Sequence, residues 1–396
     1  MKHQRLSRAG TSTLHDKLTR HVDRGDLPGL VALVASGDDV HVEAIGHKAF
    51  GDAEPIARDA IFRIASITKP IAGATAMLLV EDGAMALDDP IERWLPELAE
   101  PRVLRSIESE LDDTVSAERP ITVEDVLSFR LGHGSVMAMP GTYPIQRAEV
   151  ELELKTYAEP WPPTPLTPDE WIAALGSLPL QHQPGRAWRY NTGAQVAGVL
   201  IERVAGAPIA NVLRTRVFDP LGMVDTGFYV PADKLDRFTT QYNSDADTGE
   251  LRVLDRPDGW WSTPPAMPNA SGWLVSTVDD IWAFASMMAS GGGHLLSSES
   301  VRTMTVDRMT AADRAENAVF VGDHSGWGLM MSVPAGDGST GVPGGFGWDG
   351  GTGTTWRTDP AVDLTGILLT QRAVSSPEPP ELMTDFWDSA YAAIGA

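Results

Sequence analysis

Ile61-Phe-Arg-Ile-Ala-Ser66-Ile-Thr-Lys69-Pro-Ile-Ala-Gly-Ala-Thr-Ala-Met-Leu-Leu-Val80 decides how the rest of this chain is read. A short apolar run leads into Ser66. The Ala-rich segment after it repeats Ile71, Ala74, Met77 and Leu78 at helical spacing. Pro70 suits a first helical turn, where its missing N–H costs nothing, and Gly83 suits the stop. Residues three apart share a helix face, so Ser66 and Lys69 are neighbours. A serine hydroxyl attacks poorly until a base takes its proton. A lysine is that base when desolvation or a nearby positive charge lowers its pKa. A helix N-terminus also favours negative charge developing at the serine. Taken alone, Ser-x-x-Lys more often marks an ordinary solvated lysine than a site, so its surroundings have to decide.

Those surroundings are a chain of 396 residues, long enough for one large domain or two. The formal charge of −23 argues against nucleic acid, anionic membrane surfaces and strongly anionic substrates. There is no cysteine, hence no disulfide and no thiolate chemistry. The nine histidines form no His-x-x-x-His pattern, and no metal or other cofactor is expected. Met1 to Gly10 begins basic but lacks the apolar stretch of a signal peptide, and no long apolar run implies a membrane span. A cytoplasmic protein is therefore expected; the oligomeric state is not legible.

Outward from Ser66, residues 11–24 read as a helix with Leu14, Leu18 and Val22 on one stripe. Leu30–Ala35 and Val40–Ile45 flank the turn Ser36-Gly-Asp-Asp39 as a hairpin. Ile121–Arg130 reads as a helix capped by Thr122, and further helices fit 206–217 and 277–290. Pro and acidic residues accumulate over 138–170, which is either a lid or a surface insertion. Trp327–Val333, Thr352–Thr358 and Leu364–Gln371 read as strands, and Pro379-Pro380 starts a last helix. Strands at both ends with helices between them predict an α+β fold. Its antiparallel sheet comes from a discontinuous α/β domain, 1–65 with 268–396, and a mainly helical domain covers 66–267.

Two further stretches carry chemistry. Tyr190 lies in a Gly/Pro-punctuated loop before a helix. It reads either as a proton shuttle, its pKa lowered beside a cation, or as a packed core tyrosine. Gly344-Gly-Phe-Gly-Trp348-Asp-Gly-Gly351-Thr-Gly353 reads either as a plain turn or as a ledge whose N–H groups hold an oxyanion. Gly-x-Ser-x-Gly is absent, which removes the usual hydrolase elbow.

The order Ser66-x-x-Lys69, a distant tyrosine, then a Gly-rich strand edge resembles the serine β-lactamase and penicillin-recognising superfamily. Within it the chain is most similar to the class C β-lactamase-like branch and the family VIII carboxylesterases. Leu27-Pro-Gly29, Leu87-Asp-Asp-Pro90, Trp188-Arg-Tyr190, Val217–Phe228, Ser271–Thr277 and Gly326-Trp-Gly-Leu329 carry the likeness along nearly the whole chain. The resemblance implies a β-lactamase/transpeptidase-like fold with the site between the sheet and the helical part. It implies Ser66 as nucleophile, Lys69 as base, Tyr190 in proton transfer, and the N–H groups of Ser66 and Gly351 as oxyanion hole. The substrate-contacting tripeptides depart from the lactamase pattern. Tyr-x-Asn reads Tyr190-Asn191-Thr192, and Lys-Thr-Gly reads Trp348-Asp349-Gly350, which offers no cation to a substrate carboxylate. Asn191, Trp348, Asp349 and Gly350 are the expected substrate contacts, Trp348 as an apolar wall. The expectation is a serine carboxylesterase on neutral short-chain or aromatic esters. A β-lactamase, D-amino-acid peptidase, amidase or acyltransferase is the alternative, and a non-catalytic binding relative is more remote.

Overall fold

The computed structural model describes residues 5–155, 163–245, 248–322, 324–335, 345–376 and 378–394. Seven strands form one antiparallel sheet: β1 (Gly29–Ser36), β2 (Asp39–Gly46), β3 (Ser325–Trp327), β4 (Ser332–Pro334), β5 (Phe346–Gly350), β6 (Thr354–Asp359) and β7 (Leu364–Thr370). Their order is β2-β1-β7-β6-β5-β4-β3, so N- and C-terminal segments meet where β1 pairs with β7, Leu30 opposite Thr370.

β1 is apolar throughout because both its faces are covered. Val31, Leu33 and Ala35 face one core, while Leu30, Ala32 and Val34 face another. The second core is closed by α1 (Arg8–Asp23), through Leu14 and Leu18, and by the C-terminal helix Glu381–Ile394, through Phe386 and Trp387. The expected terminal helices thus lie on one sheet face. The other face belongs to the core that holds α2 (Thr68–Glu81), which is buried from Thr68 to Leu79 and mostly apolar around its circumference, as a central helix must be. Beside it runs α3 (Thr192–Ala205), and α4 (Val278–Ala289) fills the gap toward β6 and β7, with Phe284 edge-on to Trp356. One continuous core joins sheet and helices across the expected domain division.

Several expectations are corrected. Trp327–Val333 is a reversal, β3 and β4 joined through Gly328–Met331, because tertiary partners take the amides a strand would need. Leu329 N–H donates to the Met304 carbonyl and Met330 N–H to that of Leu127. The Gly-rich stretch is itself a central strand, β5, from Phe346 onward; Gly344 lies outside the described residues. The helix expected at 121–130 is Val123–Leu127 alone, closed at its start by a Thr122–Asp125 capping box and ended by Phe129 at φ +62°. That over 206–217 breaks into Ile209–Leu213 and a π turn at Arg214–Phe218. A helix not anticipated, α5 (Ala311–Val321), follows a Thr310–Asp313 capping box. The C-terminal helix Glu381–Ile394 is α6.

Of the 138–170 segment, residues 156–162 lie outside the described residues, while Pro144–Glu151 and Pro168–Gly176 are helical. Among the described residues no single helix is long and apolar enough to cross a membrane.

Candidate active site

Ser66 sits in a single 3-10 turn, Ala65–Ile67, that runs straight into α2. Ala65 has φ +42°, a left-handed conformation that costs a non-glycine residue energy and persists only where neighbours hold it. They do: Thr68 Oγ1 donates to the Ala65 carbonyl at 2.6 Å, and Ile64 N–H donates to Leu274 O at 3.0 Å. From the sheet, Thr354 Oγ1 donates to Ile64 O at 3.1 Å. Gly350 permits that approach, since a Cβ there would lie 2.5 Å from the Ile64 carbonyl oxygen.

Lys69 Nζ is fully buried, 2.8 Å from Ser66 Oγ, and donates to the Ser271 carbonyl at 2.5 Å. Burial pulls its pKa well below the ordinary lysine value, because no carboxylate offsets the lost hydration. Once it loses a proton, such an amine still has an N–H for Ser271 and a lone pair for the serine hydroxyl.

Tyr190 completes the group from 124 residues away, its phenol donating to Ser66 Oγ at 3.0 Å. The loop that carries it turns sharply at Asn191, φ +79° and ψ −57°, with Thr192 N–H donating back to Tyr190 O at 3.1 Å. This is a γ-turn, a strained bend that lifts the ring out of the α3 line. The ring is caged by Phe320 at 4.4 Å, Phe129 and Trp348 at 5.8 Å, and Trp188 and Trp327 at 5.9 Å, measured between centroids. Trp348 Nε1–H donates to the phenol oxygen at 2.7 Å. An indole N–H only donates, so the phenol proton has to point at Ser66. The donors therefore run Trp348 to Tyr190 to Ser66, and Lys69 Nζ meets the same hydroxyl from the other side at 2.8 Å.

The lowered tyrosine pKa expected from sequence is corrected. Burial in the aromatic cage raises it, against the smaller opposing effect of the hydrogen bonds to Ser66 and Trp348. The neighbouring amine cannot lower it, because burial discourages that amine's charge too. The arrangement leaves Tyr190 a group that can donate a proton and Lys69 the group whose lowered pKa suits a base.

Ser66 and Tyr190 open into a cavity of about 550 Å³. Trp348, Asp349, Gly350 and Gly351 line it, as do Val319 to Gly322 at the end of α5, and Pro379, Pro380 and Met383 before and within α6. Asn191, expected as a substrate contact, is not among the lining residues; its backbone bend is what the site uses. No described residue of 138–170 lines the cavity, whose outer wall is α5 instead. The Trp348-Asp349-Gly350 stretch brings no cation, but Arg357 on β6 reaches the same cavity. Its Nη2 donates to Asp349 Oδ2 at 2.8 Å. Trp348 is more than an apolar wall, since its N–H holds the phenol.

Local sequence did not disclose the Ser271 carbonyl, Phe320 or Arg357. Only the Ser271-Gly-Trp likeness hinted at the first. The Thr310-x-x-Asp313 capping box was a readable signal for the helix bearing the second. Arg357 carried no signal, being two strand positions from a partner of Asp349.

A polarised serine between a buried lysine and a tyrosine, at the seam of an antiparallel sheet and a helical layer, defines the class of serine acyl-transfer enzymes that includes the β-lactamases. The chain belongs to the Beta-lactamase family, whose model matches residues 14–384, and it is a serine hydrolase of that superfamily. Protein Rv1367c of Mycobacterium tuberculosis (strain H37Rv) is 40% identical over 366 residues, 88% of this chain and 87% of the relative. Esterase EstB of Burkholderia gladioli is 28% identical, over 92% of this chain and 91% of its own length. Among solved structures, EstCE1, described as a hydrolase with promiscuous acyltransferase activity, superposes with a TM-score of 0.79 at 23% identity. That match covers 97% of this chain and 99% of the other.

Proposed function

We propose that this chain is a carboxylesterase for neutral esters, working through an acyl-enzyme on Ser66. The observation that carries the reading is the Ser66 hydroxyl held between the Lys69 amine at 2.8 Å and the Tyr190 phenol at 3.0 Å. Lys69 takes the Ser66 proton as Oγ attacks the ester carbonyl. The N–H groups of Ser66 and Gly351, both on the cavity wall, receive the oxyanion. Tyr190 passes its proton to the departing alkoxide and is reprotonated from Lys69. Water then enters by the reverse relay and releases the acid. The expectation of short-chain esters widens, because a cavity of about 550 Å³ is in the range that holds drug-sized molecules. Esters with bulky apolar or aromatic parts suit its walls of Phe320, Trp348 and Met383.

The similarity to EstB, named an esterase, agrees with this reading. Acyl transfer is the second reading, favoured by the same apolar walls, which give an alcohol an advantage over water at the acyl-enzyme. Turnover of p-nitrophenyl butyrate that disappears with Ser66→Ala, by several orders of magnitude in a protein that still folds, is the expected result. Nitrocefin turnover matching ester turnover would replace the esterase reading with a β-lactamase. An added alcohol that appears in an ester product would establish the transferase.

A further inference from the structure

Trp348 and Asp349 are neighbours on β5, so their side chains leave the sheet on opposite faces. Trp348 stands opposite Trp356 in the core that packs on α2. Asp349 stands opposite Thr355, whose hydroxyl receives the Trp387 indole N–H of α6 at 3.2 Å. One cavity nevertheless touches both residues. Its lining includes Ser66 and Tyr190, and also Val374, Ser376, Glu378 and Met383 toward α6 together with the Asp349–Arg357 ion pair.

Both oxygens of Asp349 are held by β6: Oδ1 by Thr355 Oγ1 at 2.6 Å and Oδ2 by Arg357 Nη2 at 2.8 Å. Arg357 is shielded, with 14% of its side chain exposed, while Asp349 is 39% exposed. Among the described residues, Arg357 is the one Lys or Arg that lines the cavity, and Asp349 is its hydrogen-bond partner. A substrate carboxylate approaching Arg357 faces the more exposed Asp349 as well, and Glu378 also lines the cavity. Two carboxylates at one guanidinium repel, and neither leaves water without loss.

We propose that Asp349 is a specificity residue that occupies the carboxylate-binding position at Arg357 from within and so turns the site away from anionic esters. This rests on the esterase reading, and deepens it: β6 presents a cation where a carboxylate-bearing substrate would dock, and β5 has already filled it. The device differs from having no cation at all, because removing one charge would unmask a receptor. It also works by rejection of the competitor rather than attraction of the substrate.

The test is Asp349→Asn, which keeps the shape and the Thr355 hydrogen bond and removes the charge. Two matched substrate pairs place the carboxylate on either side of the scissile bond: mono-p-nitrophenyl suberate against p-nitrophenyl octanoate, and 4-acetoxybenzoate against 4-acetoxybenzamide. Wild-type protein should prefer the neutral member of each pair. In Asp349→Asn the anionic-to-neutral ratio of kcat/KM should rise at least tenfold for one pair. Asp349→Asn with Arg357→Gln should return that ratio to near its original value. Unchanged ratios in both pairs overturn the proposal. So does a gain that survives loss of Arg357, which would be a long-range charge effect.

Binding of octanoate and benzoate, followed by tryptophan fluorescence, gives a readout independent of turnover. Asp349→Asn should tighten it at least tenfold, and the double variant should not. Absent ester turnover by the wild-type protein refutes the esterase reading alone, and the binding result still decides the role of Asp349.

Discussion

Trp348→Phe isolates one hydrogen bond and asks whether the phenol depends on it. The phenylalanine ring keeps most of the contact with Trp327, at 4.7 Å and perpendicular, and with Phe320 at 5.8 Å, but removes the 2.7 Å donation to Tyr190. In the resting protein that neutral bond is worth about 1 kcal/mol. As Tyr190 gives its proton to a leaving alkoxide, negative charge gathers on its oxygen, and a charge-assisted bond is worth roughly 1.5–3 kcal/mol. The expected loss in kcat is therefore about 10- to 150-fold, with KM little changed. The deficit should be larger for an ethyl ester, whose alkoxide needs the proton, than for a p-nitrophenyl ester, whose leaving group does not. Paired with Tyr190→Phe in a double-mutant cycle, Trp348→Phe should cost less than about threefold more, because the group it serves is gone. The measurement is steady-state kinetics on the four proteins, with urea unfolding to show that each is folded. Additive losses, or a kcat for Trp348→Phe within twofold of the wild type, would refute the relay.

The pH dependence comes from Lys69. Its pKa is depressed by burial, so kcat/KM should fall as pH drops through that lowered value and the amine gains its proton. The raised Tyr190 pKa keeps an alkaline decline from starting near the ordinary phenol value, and a rate that fell steadily between pH 7 and 10 would contradict both assignments. His133 is buried, 3.5 Å from Glu149, too far for a hydrogen bond, and burial with the nearby Lys155 charge pushes its pKa down to about 3. Below its ordinary value the unfolded chain binds a proton that the folded chain refuses. Stability should then fall by on the order of 1.4 kcal/mol per pH unit from about pH 6.5 toward 3, a slope that denaturant titration should find reduced in His133→Asn. Gly350→Ala drives a Cβ to 2.2 Å from Thr354 Oγ1 and 2.5 Å from Ile64 O, pushing β5 off the Ser66 turn. Ester turnover should drop at least tenfold, a loss that far-UV circular dichroism will show is not global unfolding.

The sequence alone determined the features that local geometry dictates. Three residues along a helix bring Lys69 under Ser66 whatever the rest of the chain does, and the apolar run Leu30–Ala35 followed by Ser36-Gly-Asp-Asp39 reads as one arm of a hairpin. The terminal helices and the hairpin before Ser66 were legible for the same reason, since periodicity and turn chemistry act within a dozen residues. Tertiary structure decided whatever depends on a partner elsewhere. Trp327–Val333 has strand composition, yet it bends because the carbonyls of Met304 and Leu127 claim its amides. Tyr190 reads locally as a core residue, and its ring does pack against the core; the fold places Ser66 at the edge of that core, which makes the same burial a means of keeping the phenol protonated. Asp349 read as a substrate contact with no cation in its own stretch, and the fold brings Arg357 of β6 beside it. Spacing along a chain sets which atoms are near when the path between them is short and regular, whereas a pKa or a hydrogen bond across the sheet depends on desolvation and on donors that only packing supplies.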